Sequence, residues 1–255
     1  MNAAFYEAVR ESVFGGSMSQ PQVEGIEIIQ EAWEKAGDGD PYKFAYILAT
    51  AFHETARTMQ PVRETLAKTD AKAKEILTKA WRSGKLPWVK KDYWSSGWFG
   101  RGYVQLTHRE NYEKAGKELG IDLVKDPSKA MIPEVAALIL VRGCMEGWFT
   151  QRKLSHYITR SDADYIGARR VVNGTDRAAK IAEYATDFYR AIAKAKEAPK
   201  PTPKPVAPSI PETPVSEPRK PSAGWIILIA TAGAAGVTAA WEWIVQTTGL
   251  ISPWW

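Results

Sequence analysis

Tyr42-Lys-Phe-Ala-Tyr-Ile-Leu-Ala-Thr-Ala-Phe-His-Glu-Thr-Ala-Arg-Thr58 is the stretch that decides the fold class. Phe44, Ile47, Leu48, Ala51, Phe52 and Thr55 recur at three- and four-residue intervals, the period of one helical face. Pro41 suits the first turn, where a missing N–H costs little, and Pro61 sets the far limit. The spacing predicts a helix over 42–58. Glu54 follows Ile47 by two helical turns and so emerges at the edge of the buried face. A carboxyl group there is partly desolvated, which favours the protonated form that a general acid needs.

Beyond the Pro61 bend stands a second carboxylate, Glu64, and further on the run Trp98-Phe-Gly-Arg-Gly-Tyr-Val-Gln-Leu-Thr107. Hydrolysis of a glycosidic bond needs two acids in one cleft: one protonates the leaving oxygen, the other activates water or attacks the sugar. Hydroxyl and amide groups must hold sugar hydroxyls, and aromatic faces must cover the CH faces of the rings. Tyr103, Gln105 and Thr107 alternate after the Gly-Arg-Gly turn, and a period of two aims them to one side. Asn111 and Tyr112 follow. Trp98, beside the turn, has the best claim of the tryptophans to stack on a sugar.

His53-Glu54-Thr55, the run at 99–107 with Asn111-Tyr112, and Val-Asn-Gly at 172–174 resemble glycoside hydrolase family 19, and within it the short bacteriophage endolysin type. The resemblance spans roughly residues 40–190. It implies a mainly α, lysozyme-like catalytic domain with at most a small β element. It also implies Glu54 as general acid and Glu64 as general base of an inverting hydrolysis, Thr107 positioning the water, and Gln105, Asn111 and Asn173 binding substrate. Ten residues separate the two glutamates, as suits the short phage-like members; plant chitinases of the family have a longer interval. Glu75 and Glu110 are the alternatives to Glu64. The implied substrates are peptidoglycan, for an endolysin, or a chitin-like polysaccharide, for a chitinase; a wall-binding protein with a dead site is the reading from another class.

Other chemistries fail on particular residues. A zinc-protease pattern from His53-Glu54 needs a second histidine where Arg57 stands, and a dinucleotide loop from Gly100-Arg-Gly102 needs a glycine where Gln105 stands. Neither a metal nor a cofactor is expected. The chain is mildly basic, with 34 Lys+Arg against 29 Asp+Glu. That balance suits a polyanionic wall, and no zinc-finger spacing, basic arm or stacked aromatic motif points to nucleic acid. Cys144, the one cysteine, lies in the apolar run 135–148 and reads as a buried core thiol.

Helical composition recurs over 110–119, 133–148, 161–171 and 178–196, whereas 88–107 reads as irregular chain with a short strand. The catalytic domain is expected to occupy residues 1–197. Nine of the sixteen prolines fall between Pro199 and Pro221, so 198–221 reads as an extended linker. No charge interrupts Ala223 to Trp241, and Trp225, Trp241 and Trp243 sit at its ends. Residues 222–246 are therefore expected to form a single transmembrane helix, with a short uncharged tail at 247–255. Arg219 and Lys220 precede the span and no Lys or Arg follows it, which places the catalytic domain on the cytoplasmic side. A phage pore-forming protein is then a partner for release to the wall.

Overall fold

The computed structural model describes residues 1–197. Eight α-helices carry the fold: α1 (Ala3–Ser12), α2 (Gln20–Ala36), α3 (Pro41–Glu54), α4 (Asp70–Arg82), α5 (Arg109–Leu119), α6 (Pro133–Glu146), α7 (Tyr165–Ala168) and α8 (Ala178–Glu197). The sheet is a two-stranded antiparallel ribbon, β1 (Val62–Arg63) on β2 (Arg101–Gly102), with Val62 opposite Gly102 and Arg63 opposite Arg101. This is the mainly α architecture with a small β element that the sequence predicts. The sequence reading had not marked α1, α2 and α4. The expected helix over 161–171 is shorter, being α7 followed by a 3₁₀ turn at Arg169–Val171.

Helix α3 is the central strut. Its sequence is apolar on all sides, and every residue from Lys43 to Glu54 is buried, as such a helix requires. Asp40 caps it by accepting from the Tyr42 N–H at 2.9 Å, and Lys43 is neutralised by Asp38. Helices α8 and α6 pack on α3, and α2 and α1 complete the layer through Phe5, Ile26, Ile29, Phe188 and Leu140.

The helix stops four residues before the predicted end. The Thr55 hydroxyl donates back to the Ala51 carbonyl at 2.7 Å and accepts from the Met59 N–H at 3.1 Å. Ala56, Arg57 and Met59 then take left-handed backbone angles. Periodicity could not reveal this stop, because Thr55 continues the apolar spacing while its hydroxyl competes for the backbone. The consequence is functional, since Glu54 becomes the last residue of a rigid helix.

A second, smaller core joins α4 to the tryptophan-rich chain before β2, through Leu77, Leu86, Val89, Trp94 and Phe99. The Trp94 indole donates to Thr78 at 2.9 Å and the Trp81 indole to the Val89 carbonyl at 2.9 Å. These rings build structure. Cys144 is a buried free thiol, as expected.

Among the described residues no helix is long and apolar enough to cross a membrane. The linker expected at 198–221, the span at 222–246 and the tail at 247–255 lie outside the described residues.

Candidate active site

Glu54 closes α3 and is 6% exposed. Its Oε1 accepts from Nη1 of Arg169 at 2.5 Å, and Arg169 is buried as well. The guanidinium is fixed from its other side by Nε donating to the Asp176 carbonyl at 3.0 Å. A guanidinium thus balances the carboxylate's charge where water is excluded. The sequence reading placed Glu54 at the edge of the buried face but held no partner for it. His53 beside it is buried, and burial pushes its imidazole below the ordinary histidine value, towards the neutral form.

Glu64 is equally buried, at 6% exposed, and opens a 3₁₀ turn, Glu64–Leu66. It is latched to Gly100 twice. Its N–H donates to the Gly100 carbonyl at 2.7 Å, and its Oε2 accepts from the Gly100 N–H at 2.8 Å. The Tyr93 hydroxyl donates to Oε1. Burial pushes the Glu64 carboxyl above the ordinary range, while the bonds from Tyr93 and Gly100 hold it back. Neither Arg63 nor Arg57 pairs with it: Arg63 binds Asp70 at 2.5 Å, and Arg57 lies over the Phe52 ring. Thr65 and Leu66 follow with φ of 70° and 55°. Each such residue costs roughly 1–2 kcal/mol, strain of the kind that concentrates at sites. Glu75 is exposed on α4 and paired with Lys72, and Glu110 is exposed in the first turn of α5, so neither competes with Glu64 for a buried site.

The Gly-Arg-Gly segment works through all three residues. A Cβ on Gly100 would lie 2.9 Å from Gln105 Oε1 and 3.3 Å from Thr107 Oγ1, so only glycine permits that approach. Gly102 adopts φ of 88°, and a Cβ there would meet the Ala130 carbonyl at 3.0 Å. Buried Arg101 reaches Asp70 at 2.6 Å and the Tyr112 hydroxyl at 2.9 Å, and stacks on Phe99. Asp70 also accepts from Arg63; burial opposes ionisation, but the two arginines hold its carboxyl below the ordinary range.

Residues 103–107 form a tight turn instead of the alternating strand expected. Arg101 and Leu106 exchange both backbone bonds, and Gln105 has φ of 53°. Gln105 and Thr107 therefore come together at Gly100, whereas Tyr103 turns into the main core and is fully buried. That removes Tyr103 from direct contact with a ligand. Gln105 Nε2 donates to the carbonyls of Val62 at 3.0 Å and Gly102 at 3.1 Å, stitching the turn to β1. The Thr107 hydroxyl donates to the Gln105 carbonyl at 2.8 Å, and Asn111 to the Thr107 carbonyl at 2.8 Å. Trp98 is half-buried, with its ring 5.5 Å from that of Tyr112.

A cleft of about 550 Å³ opens beside these groups, lined in part by His108, Asn111, Arg152, Arg170, Asn173 and Thr175. One wall continues from Thr107, and Thr107 abuts Gly100, which bonds Glu64. The other wall continues from Arg169, which bonds Glu54. Each carboxylate is thus tied to chain that leads into the cleft, and neither side chain is among the residues that line it. Asn111 and Asn173 are among its lining residues; Trp98 is not, and its ring packs onto Tyr112. The sequence reading missed Arg169, Tyr93 and the Asp70–Arg101 pair. Arg169 stands just before Val-Asn-Gly, its one sequence signal; Tyr93 had none beyond a run of aromatics.

A helical domain with two buried carboxylates and a polar cleft has the kinds of group an acid–base hydrolase needs. The family model for class I chitinases, glycoside hydrolase family 19, matches residues 38–167. The chain belongs to this family. It is similar to acidic endochitinase Q of Nicotiana tabacum, with 44% identity over 45 residues, 18% of either chain. It is also similar to chitinase 11 of Oryza sativa subsp. japonica, with 48% identity over 40 residues, 16% of either chain. The chain thus matches less than a fifth of the length of these relatives. Among solved structures, chitinase C from Streptomyces griseus HUT6037 aligns with 19% identity over 79% of this chain and 78% of that one, at a TM-score of 0.49.

Proposed function

We propose that this protein hydrolyses β-1,4 glycosidic bonds of an amino-sugar polysaccharide, and that its substrate is bacterial peptidoglycan. The observation that carries the reading is the pair of buried carboxylates, Glu54 and Glu64, in a fold that also carries a polar cleft lined by Asn111 and Asn173. Glu54 protonates the leaving oxygen, and Glu64 takes a proton from the attacking water, giving inversion at the anomeric carbon. Thr107, next to the Gly100 that bonds Glu64, orients that water. Asn111 and Asn173 bind sugar amides and hydroxyls from the two walls, and Gln105 holds the turn that carries Thr107.

An endolysin role rests on the sequence: a proline-rich segment at 198–221 and a tryptophan-flanked segment at 222–246 that is free of charge from Ala223 to Trp241. In this reading the second segment anchors the enzyme on the cytoplasmic face until a phage pore or loss of membrane potential lets it reach the wall. Chitin hydrolysis is the second reading, favoured by the names of the two plant relatives. Release of reducing ends decides between them. Cleavage of peptidoglycan but not chitin supports the first, the reverse supports the second, and binding without turnover leaves a wall-binding protein. Protease protection in spheroplasts tests the orientation, and digestion of the domain from outside before any trigger would refute it.

A further inference from the structure

The cleft carries charge of one sign. Arg152 and Arg170 line it together with His108, and none of the described residues lining it is an acid. Two acids adjoin lining residues along the chain: Asp176, which faces Arg177 at 4.0 Å, and Glu110, exposed in the first turn of α5 before Asn111. Glu54 is already matched by Arg169. A neutral polymer of N-acetylglucosamine gives two guanidiniums nothing to balance, whereas a carboxylate does.

Both arginines sit on chain that is tied in place. The Thr150 hydroxyl donates to the carbonyls of Arg170 at 2.6 Å and Val171 at 3.1 Å, clamping the segment before Arg152 to the one bearing Arg170. Gln151 has φ of 63°, which turns the chain sharply just before Arg152. Arg152 Nη1 donates to the Tyr157 hydroxyl at 2.8 Å, so one edge of its guanidinium is held by a neutral group and its charge stays uncompensated. Arg170 has no ion-pair partner among the described residues and follows directly on buried Arg169.

We infer that Arg152 and Arg170 form an anion subsite within the cleft that recognises a carboxylate carried on the glycan, so the enzyme selects an acidic amino-sugar strand over a neutral one. The inference rests on reading the cleft as a glycan site. Two carboxylates of such a strand share this chemistry: the one on a lactyl ether of the sugar and those of attached peptides.

Binding calorimetry on the full-length Glu64→Gln variant tests it, since this background slows turnover and leaves the Glu54–Arg169 pair intact. Four ligands are compared: glycan strands stripped of peptide, the same strands with carboxylates amidated, peptide-bearing strands, and a chitin tetrasaccharide. The stripped strand should bind roughly tenfold more tightly than its amidated form or the tetrasaccharide. Added Arg152→Gln or Arg170→Gln should abolish that preference, Arg170→Lys should retain part of it, and rising salt should erode it. A preference seen only with peptide-bearing strands assigns the subsite to the peptide carboxylate. Equal affinity for charged and amidated strands would overturn the inference, as would a preference that survives loss of both arginines. Hydrolysis by the wild type is scored separately, so selective binding without cleavage removes the catalytic reading and leaves the subsite.

Discussion

Glu54 and Glu64 are buried to the same degree but held by opposite means. Glu54 faces a full positive charge from Arg169, 115 residues away in sequence. Glu64 accepts from two dipoles, the Tyr93 hydroxyl and the Gly100 N–H, with the charge of Arg101 acting as a weaker influence, and strained backbone follows it. Burial drives Glu64 above the ordinary carboxylate range, and the bonds from Tyr93 and Gly100 and the charge of Arg101 offset only part of it. On the pattern in which the acid is the carboxyl that burial pushes up, Glu64 is the rival candidate for the acid, so the proposed roles of Glu54 as acid and Glu64 as base call for a direct test. Altering these surroundings is the way to test the assignment.

The largest effect should follow from removing the charged partner. Arg169→Ala leaves a carboxylate buried without compensation and should destabilise the domain by about 3–5 kcal/mol, read from urea unfolding. Adding Glu54→Gln to that variant should recover much of the loss; no recovery would mean that Arg169 acts through packing instead.

Next comes the acid itself. Glu54→Gln keeps the shape and removes proton donation, so turnover should fall by at least about 100-fold with the fold preserved. Product from the wild type should emerge with inverted configuration, as NMR of the first anomer formed will report. An inverting pair also requires a carboxyl separation of roughly 6.5–9.5 Å with substrate bound.

A smaller loss is expected at Thr107. Thr107→Val deletes the hydroxyl beside Gly100 and should lower kcat by about tenfold with little change in KM if it orients the water. A change confined to KM would make Thr107 a binding residue.

The mildest test sharpens the comparison most. A base must be ionised to act, so activity should rise with pH as Glu64 loses its proton, on a limb above the ordinary carboxylate range. Tyr93→Phe removes a hydrogen bond that favours the ionised form, so that limb should move further up in pH. If Glu64 were the acid, the same substitution would instead move an alkaline limb. An unmoved profile would show that the Tyr93 hydroxyl does not bear on the titration.

The surroundings of the two carboxylates were unequally legible in the sequence. Glu64's latch, Gly100, lies in the Gly-Arg-Gly run that drew attention at once, and the helical period of α3 pointed straight to Glu54. Periodicity reports which face is buried; it cannot report a side chain's partner across the fold, so Arg169 stayed hidden. The Thr55 hydroxyl, which stops α3 at Glu54, was read as one more residue on the apolar face. Alternation misled at 103–107 because a strand and a tight turn can share the same pattern of residue types. The turn, set by Gly102 and the left-handed Gln105, sends Tyr103 inward and brings Gln105 to Thr107. The amphipathic helices α1, α2 and α4 are not marked in the sequence reading, and of the tryptophans around α4 it is Trp94 that fills the smaller core.

The long reach of Arg169 also matters while the chain is being made. A ribosome that has released residues 1–168 has delivered both carboxylates, the Gly-Arg-Gly turn and every residue matched by the family model. It has not delivered the guanidinium that balances Glu54, the Asp176 carbonyl that holds that guanidinium, or α8, which packs on α3. Until those arrive, the end of α3 holds an unbalanced carboxylate that water must solvate, and the helix cannot seat. The surroundings of Glu54 are therefore completed by almost the last part of the domain to emerge, and a chain cut short at residue 168 would carry both carboxylates without the partner that Glu54 has in the fold.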